Sequence, residues 1–169
     1  MLVEFDKISQ DGEIFIFQSN ILLTKKQIYF LKNELSLFLK TWHSHNEALK
    51  SSFEVKYSYF VIIGVDKFNS TISGCSIDSL NNFFQILQKK LGNNFFDRLN
   101  FYKKSHDNKI NIYNINDLKK MISQSKFSKN EIFFNNLIKE KKDLILNWET
   151  RIEDHPFIMK MIKKKVGIL

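Results

Sequence analysis

The run Ser73-Gly74-Cys75-Ser76-Ile77-Asp78 brings together the residue types of a nucleophilic site. It follows a strongly apolar stretch and precedes an amphipathic one, so it stands where a strand hands over to a helix. Amides in the first turn of a helix have no partner within it, and the helix dipole favours negative charge there. A thiol at that place ionises more readily than a free cysteine, because the same amides stabilise the thiolate. Gly74 lets the backbone turn sharply or lets a ligand approach. The chemistry this suits is that of a cysteine-dependent hydrolase or transferase, with Cys75 as nucleophile. The amides of Gly74, Ser76 and Ile77 would hold a small anionic ligand. The plainer alternative makes Cys75 a small packed apolar residue, Ser76 an ordinary helix cap and Asp78 an ordinary first-turn acid.

A base for that thiol is offered by Trp42-His43-Ser44-His45-Asn46, at the end of an earlier helical pattern. His45 can serve as general base, with Asp66 or Asp78 orienting its ring. Otherwise His45 caps the last carbonyls of its own helix. His43, His45 and Cys75 form a chemically reasonable zinc set, but no CxxC or HExxH accompanies them, and no metal is expected. No cofactor is expected either. GxxxxGK[ST] and GxGxxG are both missing, and the five glycines are scattered singly.

The elements that must position these groups follow from periodicity. Residues 13–18 alternate as a strand, entered through Asp11-Gly12. Thr24 caps a helix that runs to about residue 42, carrying Ile28, Leu31, Leu35, Phe38 and Trp42 on one face. Residues 53–58 alternate as a half-exposed strand, and residues 59–66 form a central strand apolar on both sides; a tight hairpin near Ser58 would join them, though without Asn-Gly or Asp-Gly, and one long bent strand is the alternative. After a loop over residues 67–74, Ser76 caps a second helix with Leu80, Phe83, Phe84, Leu87 and Leu91 inward, closed by Gly92. Strands over 98–103 and 110–115 come next, then a short helix capped by Asn116.

Strand, helix, strand, strand, helix, strand is the α+β order of the ferredoxin-like (split βαβ) arrangement, an antiparallel sheet with helices on one face. The expected division is a core domain over residues 1–126 and a mainly helical C-terminal extension over 127–169. That extension, or a second copy in a homodimer, would cover the other face of the central strand. RNA-recognition modules share this strand order, but no run matches their aromatic signature.

With 169 residues, 43% of them hydrophobic, and a single proline, the chain is a folded protein rather than a disordered one. Seventeen phenylalanines predict an aromatic core. A single cysteine excludes an internal disulfide, and the N-terminal residues lack the basic and apolar regions of a signal peptide. No stretch is long and apolar enough for a membrane span, so a cytoplasmic setting is expected. The net charge of +8 invites a nucleic-acid partner, yet lysine far outnumbers arginine, whose planar fork such readout favours. AT-rich codons would supply the Lys, Asn, Ile and Phe whatever the function. The alternative to the thiol site is therefore a non-catalytic interaction protein. It would bind RNA, the ribosome or another protein through its basic surface and a C-terminal helix, where Phe157, Ile158, Met161 and Ile162 lie beside Lys160, Lys163, Lys164 and Lys165.

Residues 42–49 (WHSHNEAL), 59–66 (YFVIIGVD), 73–78 (SGCSID) and 95–98 (FFDR) together resemble a set of short bacterial proteins with no assigned reaction. The likeness covers the first two-thirds of the chain and extends more loosely to Trp148. Such proteins carry glycine where Asn46 stands, which implies a left-handed turn after His45. They are often labelled ABC-transporter ATPases, a label that requires the phosphate loop missing here. What the resemblance implies is a shared site around His45, Cys75 and Asp78.

Overall fold

A computed structural model describes residues 1–45, 47–66, 72–124 and 126–166. The chain is mixed α+β with antiparallel sheets, and it divides into two compact units. One is Met1–Asp97 with Lys139–Lys142; the other is Arg98–Ile138 with Asp143–Leu169. The expected division between residues 126 and 127 falls elsewhere, at Asp97.

The first unit holds β1 (Glu13–Gln18), α1 (Lys25–Lys40), the two-residue strands β2 (His43–Ser44) and β3 (Glu47–Ala48), β4 (Ser51–Lys56), β5 (Phe60–Val65) and α2 (Gly74–Leu91). Its sheet has the order β1-β5-β4, with Glu13 opposite Val65 on one side of β5 and Ser51 opposite Val65 on the other. All six residues of β5 are buried, as its continuous apolar run requires. Tyr57 and Ser58 both adopt positive φ (55° and 57°), and the Tyr59 amide donates to the Lys56 carbonyl. That is the tight hairpin expected near Ser58, made without Asn-Gly.

Alternation along β5 sends Val61, Ile63 and Val65 into one aromatic-rich core with Leu31, Leu35 and Leu39 of α1 and Leu80, Phe84 and Leu87 of α2. Both helices therefore cover the same face. Phe17 of β1 stacks on Phe84 in that core. On the other face, Gly64 is approached by the side chains of Phe5, Ile8 and Ile14, so the N-terminal segment contributes cover there. The outer edge of β1 is taken by residues 139–140, where the Ile14 amide donates to the Lys139 carbonyl at 2.8 Å.

Thr24 caps α1 through a reciprocal box with Gln27. The helix closes at Lys40, so Trp42 lies beyond it. Gly92 closes α2 at φ 67°, the left-handed geometry that glycine adopts freely. The cap at the other end is Ser73, three residues before the expected Ser76.

The second unit contains β6 (Asn100–Lys104), β7 (Ile110–Asn114), α3 (Ile115–Ser123), β8 (Ile132–Phe134), β9 (Glu149–Arg151) and α5 (Pro156–Val166); α4 (Lys141–Leu146) begins in the first unit and ends in the second. Its sheet runs β7-β6-β8-β9. The strand expected over residues 98–103, the fourth of the supposed single sheet, is β6, and it pairs with β7 and β8 in this second sheet. The supposed helical extension supplies β8 and β9 as well as helices. Asn114, not Asn116, caps α3, its side chain accepting from the amides of Asn116 and Asp117. Leu118, Ile122, Phe133, Ile152 and Ile158 form the core here, with Met161 and Ile162 packed on it, so α5 docks by its apolar side. No helix among the described residues is long and apolar enough to cross a membrane.

Candidate functional site

Chain reversal after α1 carries Trp42 into the core, where it is 3% exposed. Its indole N–H donates to the Ser76 carbonyl at 3.0 Å and to the Ser79 hydroxyl at 3.1 Å. The Ser79 hydroxyl donates onward to the same carbonyl. Next, β2 and β3 fold into a small hairpin, with His43 opposite Ala48 and Ser44 opposite Glu47. The buried Ser76 hydroxyl donates to the His43 carbonyl at 2.8 Å, and the Ser73 amide donates to the buried Ser44 hydroxyl at 3.1 Å. Because the Ser76 proton is committed to His43, the 2.6 Å contact between the Ser73 and Ser76 hydroxyls is donated by Ser73. The two motif segments are therefore joined, as the sequence suggests, but the groups that join them are Trp42, Ser44, Ser73, Ser76 and Ser79.

The residues expected to do chemistry are placed differently. Cys75 is exposed, as are Gly74 and Asp78. His45 is exposed at the tip of the β2–β3 hairpin with φ 48°, so the left-handed residue is His45 itself; Asn46, the expected one, lies outside the described residues. His43 is turned back onto the Thr41 carbonyl through Nδ1. Among the described residues no hydrogen bond or ion pair links Cys75, His45 and Asp78. Of the three amides expected to bind an anion, that of Ser76 goes to the Ser73 carbonyl and hydroxyl, and that of Ile77 to the Ser73 carbonyl. Within the described residues no cluster of three or more His, Cys, Asp or Glu is placed to hold a metal ion.

Asp66 does not orient an imidazole. Its carboxylate, almost fully buried, accepts from the Ser9 amide and from the Lys50 ammonium, each at 2.6 Å. Burial, the largest single influence, raises its pKa, but the Lys50 and Ser9 hydrogen bonds together outweigh it and leave the carboxyl below its ordinary value. Lys50 in turn donates to the Lys7 carbonyl, so this pair anchors the N-terminal segment to the end of β5.

Two shallow depressions lie away from these motifs. One, of about 410 Å³, is lined by Lys103, Lys104, His106, Glu131 and Glu149, and its lysines are paired with those glutamates at 2.7 Å. The other lies beside Lys32 and residues 53–56. Cys75, His45 and Asp78 line neither of them.

The more conspicuous surface is the outer side of α1 and α2. Tyr29, Phe30, Leu37 and Ile86 are exposed there, Tyr29 to 70%. The two helices carry six lysines (Lys25, Lys26, Lys32, Lys40, Lys89 and Lys90) against Glu34 and Asp78. The inward stripe of each helix does not by itself reveal this face. The signal is present nonetheless: Tyr29, Phe30 and Leu37 fall out of phase with Leu31, Leu35 and Leu39, and apolar residues out of phase have no place in that core.

Compared with family models, with curated proteins and with solved structures, the chain shows no match.

Proposed function

We propose that this protein is a non-catalytic binding module that engages an anionic partner through the outer face of α1 and α2. The observation that carries this reading is the excess of lysine on those two helices, where Lys25, Lys26, Lys40 and Lys89 stand without an ion pair among the described residues around exposed apolar side chains. Cations concentrated on one face attract polyanions and speed encounter with them. The C-terminal helix adds less than its sequence suggests, since Ile158, Met161 and Ile162 are used in the second core. On this reading the motifs W-x-S-H and S-G-C-S-I-D mark a structural clasp instead of a reacting centre. The order β1-β5-β4, with two helices on one face, supports reading the first unit as a split βαβ core without its fourth strand. A cytoplasmic setting fits the single cysteine.

The test is retention of the full chain on an anionic matrix across a salt gradient. Replacing Lys25, Lys26, Lys40 and Lys89 with glutamate should shift elution to markedly lower salt than the same replacement of the exposed Lys119, Lys120, Lys126 and Lys129, which changes the net charge equally. An unchanged profile, with the variant folded by circular dichroism, removes the proposal.

Exposure of Cys75 on the first turn of α2 favours a second reading, in which the thiol is a nucleophile or a ligand-sensing group. Its alkylation rate against pH decides this. A midpoint well below that of a free cysteine supports the reading, and an ordinary midpoint discards it.

A further inference from the structure

Resting on the reading that this face binds anions, we infer that its partner is an anionic lipid surface, on which α1 and α2 lie with their outward side chains in the interfacial layer. The pairing of the helices fixes which side chains share the face. Gln27 donates to the Leu91 carbonyl, Lys90 meets Glu34 at 2.8 Å and lies 5.7 Å from the Phe30 ring centre, Phe38 stacks on Phe83, and Trp42 reaches Ser76. These contacts progress in opposite senses along the two helices, so the helices are antiparallel neighbours. Phe30 and Leu37 of α1 therefore stand beside Ile86 of α2, and Tyr29 joins them at the outer side of α1. Leu37 is 64% exposed and Ile86 58%.

Around these side chains Lys25, Lys26, Lys40 and Lys89 form no ion pair with a described residue, while Lys32 lies to the β4 side of α1. Their charge chooses among occupants. A second copy would bring a like-charged face against this one, which opposes self-association. Nucleic acid would be attracted by the lysines and has Tyr29 and Phe30 to stack on, but Leu37 and Ile86 beside them have no ring, and the chain's two arginines, Arg98 and Arg151, both belong to the other unit. A protein partner would need an acidic groove shaped to this set of side chains. A lipid interface takes aromatic and aliphatic side chains without matched shape and meets the lysines with headgroup charge. Each lysine brought to such a surface strengthens partitioning on the order of fivefold.

The experiment is flotation of the full chain with vesicles of phosphatidylcholine alone and of phosphatidylcholine with phosphatidylglycerol in equal parts, beside filter binding to polyuridylate. The inference expects binding to the anionic vesicles and little to the neutral ones. The double variant Leu37→Ser, Ile86→Ser, which touches only exposed positions, should lose on the order of tenfold in vesicle binding. Tyr29→Trp should shift its emission to the blue when anionic vesicles are added. Salt-sensitive binding to polyuridylate without vesicle binding overturns this inference and leaves the anion-binding reading standing. Vesicle binding indifferent to Leu37→Ser, Ile86→Ser overturns it as well. Failure to bind either polyanion removes both.

Discussion

The indole of Trp42 donates to the main-chain carbonyl of Ser76, 34 residues later, at 3.0 Å. That bond ties the end of α1 to the first turn of α2 and makes a buried polar contact out of the two most distinctive motifs in the chain. Its replacement by Trp42→Phe keeps most of the apolar volume and leaves the Ser76 carbonyl without its indole donor. The variant should lose about 1–2 kcal/mol of stability, measured by urea unfolding. A variant as stable as the parent would mean that the clasp contributes nothing.

Asp66 and Lys50 give the acid limb of the stability curve. The carboxyl's folded pKa lies below its ordinary value, so the unfolded chain binds the proton more tightly. The contribution is therefore complete above about pH 4, the unfolded value, and is lost as pH falls through the folded one. Asp66→Asn should cost about 2 kcal/mol at neutral pH and flatten the profile below about pH 4. Urea midpoints collected across that range check both, and a variant that keeps the full acid slope refutes the assignment.

His155 adds a second, earlier step. It caps α5: its carbonyl accepts from the Met159 amide, and its ring Nδ1 accepts from the Ile158 amide, which leaves Nε2–H directed at the Phe134 carbonyl. The ring is 3% exposed. Burial lowers its pKa below the ordinary histidine value, against the smaller opposing effect of its carbonyl contacts. Stability supplied by the neutral ring is present above about pH 6.5 and is lost as pH falls from there through the folded value. His155→Asn keeps a side-chain acceptor at the cap and should remove the pH dependence in that window. Persistence of the step in the variant would assign it to another group.

Legibility of this fold in its sequence tracked how local each determinant is. Thr24, Gly92 and the apolar stripe of each long helix act within a turn or two, and, Trp42 apart, the structure has them where the spacing puts them. The caps of α2 and α3 are ambiguous in the sequence for one reason. Each capping region offers several polar residues within three positions, and only the backbone path selects Ser73 over Ser76 or Asn114 over Asn116. Partner choice by β6 is non-local in the same way. Its sequence is compatible with pairing to β1, but pairing with β7 requires only the turn through residues 105–109, and residues 139–140 occupy the β1 edge. At the candidate site the element order suggests that the two segments meet, and they do. It could not show that the buried serines, rather than Cys75 and His45, face one another, because which side of a helix start turns inward depends on the core beneath it.

Adjacent residues Cys75 and Ser76 separate the clasp from any chemistry. Ser76 is 4% exposed and its hydroxyl both donates to the His43 carbonyl and accepts from Ser73, whereas the Cys75 side chain is exposed one position earlier. Ser76→Ala removes the donor and leaves the buried His43 carbonyl and the Ser73 hydroxyl short of a partner, which should cost about 1–3 kcal/mol. Cys75→Ser should leave the melting temperature unchanged, and the thiol should be alkylated by iodoacetamide in the folded protein without prior unfolding. The opposite pattern, a silent Ser76→Ala and a destabilising Cys75→Ser with a protected thiol, would turn the helix start around and place the sulfur in the core. Measured on the same preparation, the two substitutions decide which neighbour the fold depends on and which is left free for a ligand.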